Sequence, residues 1–191
     1  MKIRHRAEVV DRCRELADEL RAALSRLPRD DHDPDVVEAV WRGEGLGTLF
    51  WALHLAEMPP YDHPFDHGRL LELPLTRPRL RRSGEIESAR ETARLWHWRA
   101  RIASLEEDLG FDLPAPWASY QELVASVATR GHQQGLLPEP VGDDFPALGF
   151  FYRWATPDEL GELLSIAYER HRALNWLCGP GCDWNDVPLD T

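Results

Sequence analysis

Four polar residues stand on or beside the apolar faces of predicted helices, where their side chains must be paired or functional. His171 lies in the middle of an apolar stripe, Asn175 lies beside that stripe, and Arg170 flanks it. Arg99 flanks the apolar faces of an earlier helix. Because buried polar groups need hydrogen-bond partners, two interpretations follow. The four side chains form a structural network, or they line a polar pocket that binds a small ligand or catalyses a reaction.

Two glutamates are candidate partners for these cations. Glu44 lies on a largely apolar helix, and Glu91 lies in the apolar stripe of another. A buried carboxylate needs a paired cation, so a Glu–Arg network inside the fold is one expectation. Paired carboxylates can also perform general acid–base catalysis. The spacing of these two residues does not separate the alternatives.

Metal-ligating residue types occur, but without the spacing of a metal site. One short segment holds four candidates: Asp62, His63, Asp66 and His67. Pro64 disturbs their helical spacing, and Cys178 with Cys182 supplies only two thiols, half of a zinc site. The glycines of residues 43–47 follow no predicted strand and lack the Lys-Ser/Thr ending of a phosphate loop. The sequence therefore predicts no metal and no cofactor.

Apolar residues that repeat every three to four positions predict the elements that hold these groups. Five helices are expected, at roughly 6–27, 34–57, 83–109, 119–131 and 156–178. The last has the clearest start, because Thr156, Pro157 and Glu159 form a capping box with proline at the first helical position. The proline-rich segments 59–82 and 132–155 are expected to be irregular. The chain is predicted to be an all-α bundle with one domain over residues 1–191.

Two features predict how the helices pack. The helix at 83–109 has apolar residues on two faces, which is typical of a central helix, and the helix at 156–178 is expected to pack on it. Gly43, Gly45 and Gly47 are each costly inside a helix. They predict either a break in the second helix or the close approach of another backbone.

The C-terminal tail is expected to cover an aromatic residue. Trp176 points to the charged side of the last helix, so the tail from Asp183 and Trp184 should fold back over it. If Trp176 were uncovered, it would be a candidate anchor for a protein interface.

Charge and composition narrow the class of protein. The net charge is −11; residues 1–102 hold 18 acidic and 18 basic side chains, and the later residues hold 15 and 4. Such an acidic surface repels nucleic acid and anionic membranes and suits a basic protein partner. The chain has no apolar run of transmembrane length and no apolar signal-peptide core. Three cysteines are too few for a disulfide framework, so a cytoplasmic location is expected.

Several segments resemble the bacterial family called domain of unknown function 4272. The similar segments include Asp144-Phe145-Pro146, residues 149–154, Glu169-Arg170-His171-Arg172, Asn175-Trp176, Asp183-Trp184, residues 51–62 and residues 95–101. The resemblance covers most of the chain from about residue 36, and its last 45 residues are the specific part. It departs at Asn185 and Leu189, where family members are expected to carry Asp and Thr. The resemblance implies that the C-terminal block is one structural unit, and it implies no activity.

The sequence therefore predicts a non-enzymatic interaction or accessory protein, of an immunity-like or regulatory kind, with a basic protein partner. The alternative is an enzyme or small-ligand binder that uses Arg99, Arg170, His171 and Asn175, with Glu44. An open concavity onto these side chains would favour the alternative, and a closed network would favour a structural role. The oligomeric state stays open, with the alanine face of the helix at 83–109 as a possible homo-oligomer contact.

Overall fold

The computed structural model describes residues 2–106, 117–179 and 181–189. Over these ranges the chain is mostly helical, with six α-helices and one two-stranded antiparallel hairpin. The helices are α1 (Arg6–Arg26), α2 (Pro34–Ala52), α3 (His67–Glu72), α4 (Ser83–Glu106), α5 (Tyr120–Gln133) and α6 (Pro157–Cys178). The all-α class predicted from the sequence is confirmed. No described helix is long and apolar enough to cross a membrane.

The helices pack in the order α1, α2, α6, α4 and α5, each in contact with the next. The expectation that α4 packs on α6 is confirmed, but α6 rather than α4 lies in the middle of this order. The central position of α6 is not evident from its sequence, because four consecutive polar residues of this helix are buried. They are Glu169, Arg170, His171 and Arg172.

The second helix is shorter than predicted, ending at Ala52 rather than at residue 57. His54 adopts the left-handed conformation with φ 58°. The Leu55 N–H then bonds to the Phe50 carbonyl and the His54 N–H to the Trp51 carbonyl. This is the paired bonding of a Schellman motif, which satisfies the last carbonyls and stops the helix before the prolines are reached.

The glycines of α2 neither break the helix nor admit another backbone. They admit aromatic side chains instead. A Cβ atom at Gly43 would lie 2.7 Å from His67 Nε2, and one at Gly45 would lie 3.0 Å from the Trp184 ring. A Cβ atom at Gly47 would overlap the Phe65 ring. The cost of glycine in a helix is therefore offset by the packing of three rings onto its surface.

The two segments predicted to be irregular contain short regular elements. The first contains α3, which Asp66 caps by accepting a hydrogen bond from the Arg69 N–H at 3.0 Å. The second contains strands β1 (Pro146–Ala147) and β2 (Phe150–Phe151), where Pro146 pairs with Phe151. Periodicity cannot reveal elements of six and two residues, because neither is long enough to complete a pattern.

The remaining boundaries follow their caps. Residues 107–109 of the predicted third helix lie outside the described residues, and α4 is described to Glu106. Ser119 caps α5 by accepting from the Glu122 N–H, and the helix continues to Gln133, two residues beyond the prediction. The predicted capping box of α6, between Thr156 and Glu159, is present with both of its bonds.

Candidate functional site

A fully buried ion pair joins α2 to α6. Glu44 and Arg170 are both 0% exposed, and Arg170 Nε donates to Glu44 Oε2 at 2.9 Å. The other carboxylate oxygen accepts from the Phe65 backbone N–H at 2.7 Å and lies 3.3 Å from His67 Nε2. The other guanidinium nitrogens donate to three backbone carbonyls, those of Pro59, Pro60 and His63, at 2.7–3.1 Å.

This Glu44–Arg170 network is closed on itself. Each guanidinium nitrogen of Arg170 donates to a protein oxygen, and both oxygens of Glu44 are engaged. The rings of Tyr61 and Phe65 lie over the guanidinium, each with its centroid 5.0 Å from Cζ. A buried charge pair is tolerated when its hydrogen-bonding capacity is filled in this way. Its structural effect is to fasten residues 59–67 to the bundle.

A second buried ion pair, Arg99 with Asp144, holds the hairpin against α4. Both side chains are 1% exposed and make a bidentate contact, with Nε–Oδ1 at 2.8 Å and Nη2–Oδ2 at 2.9 Å. Asp144 also accepts from the backbone N–H groups of Phe145 and Arg153. Arg99 Cζ lies 4.6 Å from the centroid of the Tyr152 ring. Asp144 therefore organises both ends of the hairpin.

His171 belongs to a hydrogen-bonded chain that runs from the tail to α4. Asn175 Nδ2 donates to the Pro188 carbonyl at 2.9 Å and also contacts His171 Nε2 at 3.1 Å. Since a carbonyl can only accept, the amide nitrogen is the donor in both contacts. His171 must then accept at Nε2, carry its proton on Nδ1 and donate to His97 Nδ1 at 3.0 Å. His97 consequently holds its proton on Nε2.

Both imidazoles are neutral in this chain. Burial, together with the positive charge of Arg101, lowers the pKa of His97 to about 4. Burial, together with the charges of His97, Arg94 and Arg90, lowers the pKa of His171 to about 4. His97 is packed edge-on against the Tyr168 ring at 5.4 Å. A neutral pair whose proton positions are fixed by Asn175 is suited to orienting the tail, because no charge develops near neutral pH.

The tail folds back over Trp176, as the sequence predicted. The rings of Trp184 and Trp176 are packed edge-to-face with their centroids 5.6 Å apart, and both are buried. Arg4 Cζ lies 4.2 Å from the centroid of the Trp176 ring, and Arg4 Nε donates to the Trp176 carbonyl at 2.7 Å. Arg172 lies over Trp184 at 5.1 Å, and Asp183 is exposed. Trp176 is therefore a core residue and not an exposed anchor.

Glu169 is a buried carboxylate that sequence reasoning missed. It is 3% exposed and lies 3.0 Å from the Arg172 guanidinium. Burial raises the pKa of Glu169 to about 7, against the opposing charges of Arg172 and Arg42. The helical periodicity of the sequence places Glu169 on the charged side of α6, with Glu162 and Arg172. The only local signal was its proximity in sequence to the apolar stripe.

The placement of Glu91 corrects the sequence prediction. Its side chain is 38% exposed and pairs with Arg90 and Arg94 at 3.0 Å each. Leu95 and Ile102 of the stripe that contained Glu91 are buried, whereas Glu91 itself is only partly buried. Glu91 therefore forms no carboxylate pair with Glu44.

The four residues proposed as one polar pocket belong to three separate networks. Arg170 pairs with Glu44, Arg99 pairs with Asp144, and only His171 and Asn175 contact each other. Two surface cavities, of about 510 and 480 Å³, share Met58 in their linings and are lined by none of these four residues. Among residues 2–106, 117–179 and 181–189, no group of three or more potential ligands is placed to hold a metal ion.

Large apolar side chains are exposed on the hairpin. Within the described ranges, four of the five exposed large hydrophobic residues lie there: Val141, Leu148, Phe150 and Trp154. Phe150 is 61% exposed and Trp154 is 67% exposed. Trp154 also contacts Phe151 at 4.2 Å. Residues 141–154, with the four exposed side chains and Phe151, are called the hairpin surface below. Sequence reasoning missed it, although three consecutive aromatic residues and Trp154 in a non-helical segment were a signal.

The backbone beneath the hairpin surface is held in place. Leu148 and Gly149 have φ of 54° and 81°, the positive values that a tight two-residue hairpin turn requires. The Leu148 N–H donates to Asp62 Oδ2 at 2.8 Å, which fastens the turn to the segment after α2. Arg153 donates to the Gly142 carbonyl at 2.9 Å and lies over the Phe151 ring. The aromatic residues are therefore presented on a rigid support.

Comparison of the chain with family models, with curated proteins and with solved structures gives no match. The resemblance to the domain of unknown function 4272 family stays a prediction.

Proposed function

We propose that this chain is a non-enzymatic protein-interaction module, of an accessory, immunity-like or regulatory kind, that acts in the cytoplasm. The hairpin surface is its contact with the partner. Tryptophan and phenylalanine supply most binding energy at protein interfaces, where they fill pockets on the partner.

The observation that supports this function is the exposure of Phe150 and Trp154 on a braced hairpin. Exposed apolar side chains occur singly on most proteins, but a contiguous group is typical of an interaction site. The two rings lie 6.3 Å apart, so they form one patch. Because Asp144 and Asp62 already fix the backbone, little conformational entropy would be lost on binding.

The alternative, an enzyme or small-ligand binder, requires access to the polar side chains. Arg99, Arg170 and His171 are each at most 1% exposed, and their contacts are with protein groups. A ligand could reach them only by displacing the proline segment, the hairpin or the tail. The burial of these residues and their pairing with other protein groups therefore favour a structural role.

The test is a quantitative comparison of proteins captured from the source lysate by purified variants of this chain. Trp154→Ser removes the anchor, and Tyr168→Ser is the matched control, since it removes an exposed aromatic residue from α6. We expect a stoichiometric partner to be retained by the unmodified chain and by the control. We expect its affinity for Trp154→Ser, measured by calorimetry with the purified partner, to fall at least about 30-fold. Equal capture by all three proteins would contradict the proposal.

A further inference from the structure

Acidic residues flank the hairpin surface in the sequence. Three exposed carboxylates lie close to it along the chain: Glu139, Asp143 and Asp158. These three are called the acidic rim below. Arg153 is the basic residue among them, and it is engaged with the Gly142 carbonyl and the Phe151 ring.

Two members of the acidic rim, Asp143 and Asp158, lie within the footprint of an ordinary interface, and the third, Glu139, lies two residues before Val141 of the hairpin surface. Asp158 follows Trp154 by four residues, so their Cα atoms are at most about 14 Å apart. Asp143 adjoins Gly142, which is hydrogen-bonded to Arg153, the neighbour of Trp154. A typical interface buries about 800 Å² on each partner, a disc of about 16 Å radius. A partner that contacts Trp154 over such an area would therefore also contact Asp143 and Asp158.

Resting on the proposed function, we infer that the partner is a basic protein that receives Trp154 and Phe150 in an apolar pocket ringed by Lys or Arg side chains. A second copy of this chain fits poorly, because each copy carries a net charge of −11 and the same acidic rim. An anionic membrane is disfavoured for the same reason. Apolar anchors flanked by an excess of carboxylates select a partner of complementary shape and opposite charge.

The anchor and the rim have separable effects. Trp154 would be desolvated in the complex, so its loss should raise the dissociation rate. The rim carboxylates stay at the solvated edge, where charge mainly steers association and is screened by salt. Neutralising the rim should therefore lower the association rate and flatten its dependence on salt, while the dissociation rate changes little.

The experiment uses a defined probe. A phage-displayed library of a small folded domain with one randomised face is selected on the intact chain and counter-selected on Trp154→Ser. We expect the retained faces to be enriched in Lys and Arg and depleted in Asp and Glu relative to the starting library. One purified domain then serves as the probe in surface-plasmon resonance against all variants.

The rim variant is Glu139→Gln/Asp143→Asn/Asp158→Asn, in which asparagine at 143 tolerates the positive φ of that position. The matched control is Asp11→Asn/Asp18→Asn/Asp31→Asn, which removes the same charge from exposed positions of α1 and the loop after it. We expect the rim variant to bind the probe about 3- to 10-fold more weakly, through the association rate. The control should bind within about twofold of the intact chain.

The outcomes separate the inference from the proposed function. The inference would be overturned if the retained faces required Trp154 but carried no excess of basic residues, and if the rim variant bound the probe as the intact chain does. The proposed function would then still stand. Failure to retain any Trp154-dependent face would count against both. A Trp154-dependent dimer in sedimentation velocity, or Trp154-dependent binding to phosphatidylcholine–phosphatidylserine vesicles, would replace the basic protein with a second copy or a lipid surface.

Discussion

The Glu44–Arg170 network and the hairpin surface show opposite relations between a residue's chemistry and its exposure. In the network, Glu44 and Arg170 are 0% exposed, and their donors and acceptors are hydrogen-bonded to other protein groups. On the hairpin, Phe150 and Trp154 are more than half exposed, and among the described residues their aromatic neighbours all lie within the hairpin itself. Buried charge that is fully paired holds elements together, whereas exposed aromatic surface is free to contact another molecule.

Both regions are rigid, and for related reasons. Arg170 fastens the proline segment through three carbonyls, and Asp144 fastens the hairpin through two backbone N–H groups and Arg99. Polar groups of the bundle thus set the backbone conformation of both segments that connect its helices. The network uses this rigidity to stabilise the fold, and the hairpin surface uses it to present aromatic residues.

The largest expected effect is on the buried network. Glu44→Gln leaves the Arg170 charge buried without its counterion, so the free energy of unfolding should fall by about 3–5 kcal/mol. Glu91→Gln is the matched control, because its partners are at the surface, and it should cost at most about 1 kcal/mol. Urea denaturation monitored by tryptophan fluorescence measures both. Similar losses in the two variants would mean that burial does not distinguish the two carboxylates.

The next effect concerns pH and Glu169. Its pKa is raised to about 7 in the fold, above the ordinary 4.5, so the native state binds more protons than the unfolded chain between these values. Stability from this group is therefore present at low pH and lost as pH rises from 4.5 to 7. The free energy of unfolding of the unmodified chain, minus that of Glu169→Gln, should fall by up to about 3 kcal/mol as pH rises across this window. A difference that stays constant with pH would be inconsistent with a raised pKa.

A smaller effect tests the packing of rings onto α2. Gly47→Ala places a Cβ atom against the Phe65 ring and should destabilise the protein by about 1–3 kcal/mol, despite the higher helix propensity of alanine. Gly161→Ala, in α6, meets no atom within 4 Å and should stabilise by about 0.5–1 kcal/mol. Thermal unfolding of the two variants should thus shift in opposite directions. If the unfolding temperatures of both variants rose, the Phe65 ring would be able to move aside at little energetic cost.

The smallest effect on stability is expected at the hairpin surface. Trp154→Ser removes a side chain that is 67% exposed, so the free energy of unfolding should change by no more than about 0.5 kcal/mol. The same variant is expected to lose the partner. A large loss of stability would instead assign Trp154 to the fold, and it would remove the contrast between the two regions.

The sequence predicted well where the physical cause is local. Thr156, Pro157 and Glu159 determine the start of α6 within one turn of chain, and their capping box is present. The stripes of α1 and α6 reflect burial that repeats with the helical period. The predicted end of α2 was wrong, because this helix stops at a Schellman motif whose left-handed residue is His54. Glycine is the residue that usually marks such an end in a sequence.

The candidate residues themselves were partly predictable. Glu44, Arg170 and His171 stood out as polar groups on apolar faces, and all three are buried. Their partners were not predictable from spacing, because Arg170 lies 126 residues from Glu44, and His171 lies 74 residues from His97. Which cation meets which carboxylate depends on the packing order of the helices.

By itself, the sequence determined the all-α class, most helix boundaries and the acidic charge, since each depends on composition or on interactions within a few residues. Only the tertiary structure decided that the polar residues form three separate networks and that Phe150 and Trp154 stay exposed. Exposure is decided by what packs against a side chain, and those neighbours come from distant parts of the chain. The surface we propose for function therefore lies in a segment whose periodicity carries no signal.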